Sequence, residues 1–299
     1  MINYDVLRQV EEIYNSGGNI MQFLNQMSGG EGVQNTKEAI LISYDFQSGS
    51  YVNAYKKNPG VYEKYTKEIS DEIKTFGPFS TILEAGVGEA TTFKQVIKNL
   101  DIPLENCYGF DISWSRLKTG NSFVNEDIAG NANFFVADLS DIPLMNSSID
   151  IVYTAHSIEP NGGYEKPILE ELYRVAKQYL VLFEPDYEFA NDDAKHRMES
   201  HGYIKRLADT AKELGYDVIK RELLRFPLNP LNPTSVIVIQ KTSKSRVDGI
   251  FQCPVSKTKL TDCGEVFFAE QPRLMYPVIQ GIPCLLKSQA ILGSRYNTM

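Results

Sequence analysis

The chain has 299 residues, four cysteines and a formal net charge of −8, enough length for one full hydrophobic core plus an appendage. The charge is uneven, +4 over residues 241–299 and −12 over residues 1–240, so the main body is a poor match for an extended phosphate backbone and nucleic acid is not the expected partner. Sparse cysteines, and the lack of an apolar run long enough to span a membrane or arranged as a secretion signal, point to a soluble cytoplasmic protein without a membrane partner.

In chain order, apolar residues first recur at helical intervals: Ile2, Val6, Val10 and Ile13, then Ile20, Phe23, Leu24 and Met27, and later Val61, Tyr65, Ile69 and Ile73. Glycines 17, 18, 29, 30 and 32 separate the first helices from the remainder of the chain. Residues 1–76 therefore read as a helical cap. Within it, the stretch from Tyr44 to Tyr55 is both aromatic and polar, and Tyr44, Tyr51 and Tyr55 are candidates to line a substrate mouth; the alternative is an ordinary packing surface.

Next comes Thr81-Ile82-Leu83, a short apolar strand, followed by Glu84-Ala85-Gly86-Val87-Gly88-Glu89-Ala90 and a helix-like segment. A strand, a glycine turn and a helix start let a nucleotide-like ligand lie against bare backbone. Thr91 stands where a dinucleotide fingerprint needs glycine or alanine, and the acid before the first glycine suits a ligand with an ammonium group. Four further strands come after it, Cys107–Asp111, Asn133–Asp138, Ile149–Thr154 and Tyr179–Glu184, most of them separated by helical-period segments. Each is a β-branched or aromatic run fit for burial on both faces, and the alternation implies a parallel, doubly wound α/β sheet. Ligands in such sheets collect outside the carboxyl ends of the strands, where Glu84, Asp111, Asp138, His156 and Glu184 fall. Capping of loops is the structural alternative for the aspartates.

These residues carry a resemblance. From about Phe79 to Lys241, the ordered set Glu84-x-Gly86-x-Gly88-x-Ala90, Asp111, Ala137-Asp138-Leu139 and Asp150-x-Val152 resembles the class I S-adenosylmethionine-dependent methyltransferases. The resemblance implies a Rossmann-like sheet of seven strands with an antiparallel last strand, the final hairpin running from Asp217 to Ile239, over residues 77–242. It also implies S-adenosylmethionine as cofactor, with Gly86 and Gly88 beside its methionyl part, Glu84 at its ammonium, Asp111 at the ribose hydroxyls, Ile112 packed on the adenine, and Asp138 with the Leu139 amide reading the adenine edge. Two departures stand out: Ala90 replaces the third glycine of the first motif, and Ala176-Lys177-Gln178 replaces a glycine turn before the fifth strand.

Methyl transfer chiefly requires positioning of an acceptor lone pair and exclusion of water; a base is needed when the acceptor must lose a proton. His156, in a polar loop with Glu159, Asn161, Gly162 and Gly163, is the candidate base, the alternative being a histidine that satisfies loop backbone. Glu159 and Glu184 are candidates for binding a cationic or polyhydroxylated acceptor. His196 and His201 sit in a charged segment and read as solvated surface residues. No metal-ligand spacing, nucleophile elbow or P-loop is present.

Residues 243–299 form a separate module. Cys253-Pro254-Val255-Ser256, followed by Tyr276 to Leu286, resembles the small zinc-ribbon-like proteins that activate certain methyltransferases, with Ser256 in the place of a second cysteine. Cys253, Cys263 and Cys284 make three ligands where a closed zinc site wants four, so a small metal-free β-rich domain is expected. It could cap the site, mediate a homodimer or stabilise its neighbour. The reading as a whole is an enzyme methylating oxygen, or else nitrogen, of a small polar, sugar-like biosynthetic intermediate. The alternatives are methylation of a translation component, RNA or protein, and a non-catalytic binding protein of this fold.

Overall fold

The computed structural model describes residues 4–27, 34–125, 132–243 and 249–296; Ile2 and glycines 29, 30 and 32 lie outside them. Five helices come first: α1 (Tyr4–Asn15), α2 (Ile20–Met27), α3 (Lys37–Phe46), α4 (Ser50–Lys57) and α5 (Pro59–Lys74). Then β1 (Thr81–Ala85), α6 (Thr91–Leu100), β2 (Asn106–Asp111), α7 (Trp114–Asn125), β3 (Ala132–Val136), β4 (Ile149–Ala155), α8 (Glu165–Val175) and β5 (Ala176–Pro185) alternate. Helices α9 (Asp192–Ser200) and α10 (Leu207–Glu213) lead to β6 (Asp217–Leu223) and β7 (Thr234–Gln240). The tail holds β8 (Thr261–Asp262), β9 (Val266–Ala269), β10 (Leu274–Ile279), β11 (Ile282–Pro283) and β12 (Ile291–Leu292).

The main sheet has seven strands in the order β3-β2-β1-β4-β5-β7-β6. All neighbours are parallel up to β5, and β7 runs antiparallel to both β5 and β6. The chain leaves β1 toward β2 and β3, then returns to β4 on the other side of β1. That reversal opens a crevice at the carboxyl ends of β1, β2 and β4, since the connecting helices diverge there. The central strands are buried on both faces, with Ile82, Leu83, Phe110, Ile151, Val152, Leu182 and Phe183 fully shielded from solvent.

The N-terminal helices divide in two. Helix α5 belongs to the sheet's own core, because Tyr65, Ile69 and Ile73 recur on one face and are fully buried with Phe93, Val96 and Val181, each burial contributing roughly 1.5–3 kcal/mol. Helices α1 to α3 share only a small cluster around Val10, Ile20 and Ile42. Thr36 starts α3 by accepting a hydrogen bond on Oγ1 from the Ala39 amide (3.1 Å). The cap is thus a lightly cored layer on a heavily cored one.

The tail is joined to the sheet. β3 is an edge strand, and the turn after β11 pairs with it in parallel, Val136 opposite Cys284, with the Leu285 amide donating to the Val136 carbonyl (3.0 Å). Cys253, Leu260, Phe267, Tyr276 and Leu285 of the tail lie in one cluster with Phe110, Phe135 and Leu144 of the sheet layer. An exposed edge strand is a liability, and this one is covered by the chain itself. The coverage reaches the loop after β3: Asp141 accepts from Lys257 Nζ (2.6 Å) through Oδ1 and pairs with Lys287 Nζ (2.9 Å) through Oδ2. Burial would raise the Asp141 pKa, but the two ammonium groups outweigh it and hold the carboxyl below its ordinary value. Its stabilising contribution is therefore present at neutral pH and lost as pH falls through the depressed pKa. Because the lysines are 46% and 57% exposed, Asp141→Asn is expected to cost only about 1 kcal/mol. Thermal unfolding at neutral pH should show a small drop in Tm that shrinks in high salt.

Candidate functional site

A cavity of about 1020 Å³ lies at the carboxyl ends of β1, β2 and β4, roofed by α2, α3 and α4. Its wall contains Glu84, Gly86, Gly88, Asp111, Ile112, Asp138, Leu139, His156, Glu159, Tyr44 and Tyr51. Residues far apart in sequence are thereby gathered, the acids by the strand order and the tyrosines by the roof helices.

The glycine turn is tight in a way that side chains would obstruct. Gly86 has φ +73° and Gly88 φ +54°, both in the left-handed region that favours glycine. A Cβ on Gly86 would stand 2.3 Å from Ser157 Cβ, and one on Gly88 would stand 2.5 Å from Arg116 Nη2. Ala90, in place of the third glycine, adopts φ +57° and precedes α6 directly.

Glu84 and Tyr153 are register partners on β1 and β4, and Tyr153 OH donates to Glu84 Oε2 at 2.5 Å. Burial pushes the Glu84 pKa up to about 8, against the pull of the Tyr153 hydrogen bond. Asp111 ends β2 and uses one oxygen for each of two backbone amides: Oδ2 accepts from Gly88 N (3.0 Å) and Oδ1 from Ser113 N (2.9 Å). Each oxygen keeps a lone pair for another donor. Asp138 accepts from Ser140 N (2.8 Å) through Oδ1 and from Lys37 Nζ (2.7 Å) through Oδ2, which ties the loop after β3 to the start of α3.

His156 follows β4 with φ +55°, a strained conformation of the kind that clusters at functional sites. Both ring nitrogens are engaged: Nδ1 lies 2.9 Å from Glu159 Oε2 and Nε2 lies 2.8 Å from Thr234 Oγ1. Thr234 Oγ1 itself donates to the Asn232 carbonyl (3.0 Å), so it is placed to accept from Nε2–H. Burial would lower the His156 pKa, but the hydrogen bond and charge of Glu159, with Glu184 behind it, raise it above the ordinary value. Glu184 is fully buried and accepts from the amides of Ser157 (3.0 Å), Ile158 (3.2 Å) and Glu159 (3.2 Å). Burial pushes its pKa up to about 7, with the charge on His156 opposing.

Two residues expected at the substrate mouth are placed elsewhere. Tyr55 lies one helical turn beyond Tyr51, against Tyr62 and Phe123 with its hydroxyl taken by Gln95 Nε2 (2.9 Å), and does not line the cavity. Glu184 serves as the buried anchor of the loop after β4 instead of facing the cavity. His201 is exposed as expected but stands on the cavity rim.

Sequence reasoning missed four residues. Tyr153 sits in mid-strand and reads as core. Lys37 reads as a helix-start cation. Glu89 accepts from Gly49 N (3.0 Å) and Val52 N (2.8 Å), binding the glycine turn to the start of α4; its place beside Gly88 was the available signal. Arg116, five residues past Asp111, reads as a solvated helix residue and is in fact 8% exposed, between the rings of Tyr44 and Tyr51.

The cysteines of the tail are all free. Cys253 and Cys284 are buried and Cys263 is exposed, and Cys253 Sγ lies 3.2 Å from Tyr276 OH. Among the described residues no cluster of three or more His, Cys, Asp or Glu side chains could hold a metal ion, and no helix is long and apolar enough to cross a membrane.

Known proteins share this architecture. A family model described as a methyltransferase domain matches residues 82–179, from β1 into β5. Among solved structures, magnesium protoporphyrin IX methyltransferase from Synechocystis, crystallised with bound S-adenosylhomocysteine, is 12% identical with a TM-score of 0.52, over 67% of this chain and 99% of that one. An S-adenosylmethionine-dependent methyltransferase from Aquifex aeolicus is 17% identical with a TM-score of 0.45, over 56% of this chain and 87% of that one. At 12% identity the Synechocystis structure bears on the fold, and the family match bears on the domain. Residues 82–179 thus match a methyltransferase domain, and the sheet around them has the fold of an S-adenosylmethionine-dependent methyltransferase.

Proposed function

We propose that the cavity binds S-adenosylmethionine along the strand ends and methylates a hydroxyl, or else an amine, of a small hydroxyl-rich acceptor held under the helical cap. The residues present fit the cofactor: Gly86 and Gly88 present bare backbone to the cavity, Asp111 keeps lone pairs for a diol, and Ile112 and Leu139 offer aliphatic faces to a flat ring. Glu84 would take the ammonium and Asp138 the adenine edge, after exchanging its bond to Lys37.

The observation that carries the acceptor reading is the chemistry of the outer wall. Nine carboxamides line the cavity, and among them Gln22, Gln26 and Gln47 have no side-chain hydrogen bond to a described residue. Neutral groups that both donate and accept suit hydroxyls better than they suit apolar ligands.

The cofactor supplies a methyl carbon on a sulfonium. The protein's part is to orient the acceptor and receive its proton. His156 has both nitrogens occupied and a raised pKa, so in this arrangement it holds Glu159 in place as a cation. That moves the proton-accepting role from His156 to Glu159, whose Oε2 serves His156 and Asn232 while Oε1 accepts no hydrogen bond from a described residue. Glu159 Oε1 would accept the hydrogen bond of the acceptor hydroxyl.

Incubation of the protein with methyl-labelled S-adenosylmethionine and cell extract tests the reading. Label is expected in the low-molecular-weight fraction and is expected to vanish with Asp111→Ala. Label confined to RNA or protein would overturn the small-molecule acceptor, and no binding of S-adenosylhomocysteine would overturn the cofactor site.

A further inference from the structure

Arg116 is a buried cation whose hydrogen-bonding capacity is unused. Its guanidinium carries five N–H donors, yet Nε is buried without a hydrogen-bond partner and no described residue accepts from the other two nitrogens. The nearest carboxylate oxygen, Glu89 Oε1, is 4.0 Å from Nε. Glu89 spends both oxygens on the amides of Gly49 and Val52. What holds the guanidinium is the pair of rings beside it, Tyr51 at 4.5 Å and Tyr44 at 5.0 Å, an interaction that leaves the in-plane donors free. Burial opposes the charge but the Asp111 and Glu89 carboxylates outweigh it; what remains costly is the buried donor without an acceptor, and the cavity it lines is where one could enter.

We propose that Arg116 is an oxyanion receptor and that the acceptor therefore bears a carboxylate or phosphate group, which the planar fork of the guanidinium engages with two hydrogen bonds. The inference rests on the proposed function and narrows its substrate class to hydroxyl-rich molecules that also carry an acidic group. The cofactor has a carboxylate of its own, but that group sits beside the ammonium, which belongs to Glu84 at the end of β1. Arg116 borders the cofactor site at Gly88 and at the Asp111 end of β2, with Tyr44 and Tyr51 of the cap beside it. An acidic molecule entering from the cap side would meet it there, and competition with the cofactor is the arm of the test that separates the two.

The test uses the full chain, saturated with S-adenosylhomocysteine, titrated with inorganic phosphate and separately with acetate, while the Arg116 Nε–H resonance is followed by NMR and assigned by its loss in Arg116→Lys. A saturable shift is expected for at least one probe. Phosphorus line broadening should show phosphate binding weakened at least about tenfold in Arg116→Gln, with partial retention in Arg116→Lys, whose single ammonium keeps the charge without the fork. Affinity for S-adenosylhomocysteine, read by calorimetry, should stay within about twofold in both variants. No saturable shift with either probe would overturn the proposal, as would release of phosphate by S-adenosylhomocysteine together with its weakened binding in Arg116→Gln, because the guanidinium would then serve the cofactor. Failure of the wild-type chain to bind S-adenosylhomocysteine would instead refute the cofactor site, and the same titrations repeated on the unliganded chain would then decide the role of Arg116 separately.

Discussion

Gly86→Val is expected to abolish measurable binding of S-adenosylhomocysteine, a loss of at least about 100-fold in affinity. The backbone there has φ +73°, which a β-branched residue tolerates at a cost of roughly 1–2 kcal/mol. Its Cβ would also meet Ser157 Cβ at 2.3 Å. Ser157 cannot yield freely, because its Oγ donates to the Ala85 carbonyl (2.6 Å) and its amide donates to Glu184 (3.0 Å). Relief of the clash must therefore displace either the glycine turn or the loop carrying His156, adding about 1–3 kcal/mol of overpacking. Gly17→Ala is the matched control: that glycine has φ +76° but nothing within 4 Å of an added Cβ. It should lose some thermal stability and leave binding as it was. Calorimetry, with circular dichroism to confirm folding, separates the two outcomes.

The second large effect concerns pH. In the ligand-free protein Glu84 has a pKa raised to about 8 by burial, so near neutrality most molecules hold it protonated. A bound ammonium favours the carboxylate. Affinity for S-adenosylhomocysteine is then expected to rise with pH toward about 8, by up to roughly tenfold per pH unit. The binding reaction should release a proton, detectable as a dependence of the calorimetric enthalpy on buffer ionisation. Glu84→Gln should flatten the pH profile and weaken binding.

Folding stability runs in the opposite direction. The unfolded carboxyl ionises near 4.5 while the folded one waits until about 8, so the unfolded state binds fewer protons between those values. The stability associated with Glu84 is full below the lower value and is lost as pH rises through the upper one. Glu84→Gln, which cannot ionise, should accordingly raise Tm relative to the wild type at pH values near 8. A variant that is more stable and binds less well is the signature of a carboxylate kept in a costly environment for a ligand. An unchanged Tm difference across the pH range would show that burial does not hold Glu84 protonated.

Much of this was legible in the chain. The strand runs ending in Glu84, Asp111, Asp138 and Glu184 are short, apolar and separated by helical-period segments, and local residue preference suffices to mark such elements. Their order also dictates a parallel sheet, since consecutive parallel strands need crossover helices. The glycine turn was readable because glycine adopts the positive φ found at Gly86 and Gly88 most readily. What sequence spacing could not show is which side chains face inward from the surrounding helices. Tyr51 and Tyr55 are one turn apart on α4, yet the first packs on Arg116 at the cavity and the second on Phe123 outside it, because how α4 lies against α7 is fixed by tertiary packing.

The same holds for charge. Glu159 and Glu184 look alike in sequence, each followed by proline; in the fold, one faces the cavity and the other is sealed beneath a loop whose three amides it holds. His156 looks like a free base until Glu159 and Thr234, the latter from a strand far along the chain, fill both its nitrogens. Arg116 looks solvated until two tyrosines of the cap close over it. The sequence by itself determined the strands, their polarity and the turn, because these arise from dihedral preference and apolar periodicity within a few residues. The tertiary structure alone decided which acids are buried, which cation has a buried donor without an acceptor and where the tail covers the sheet edge, because desolvation and hydrogen-bond partnership depend on groups brought together from distant parts of the chain.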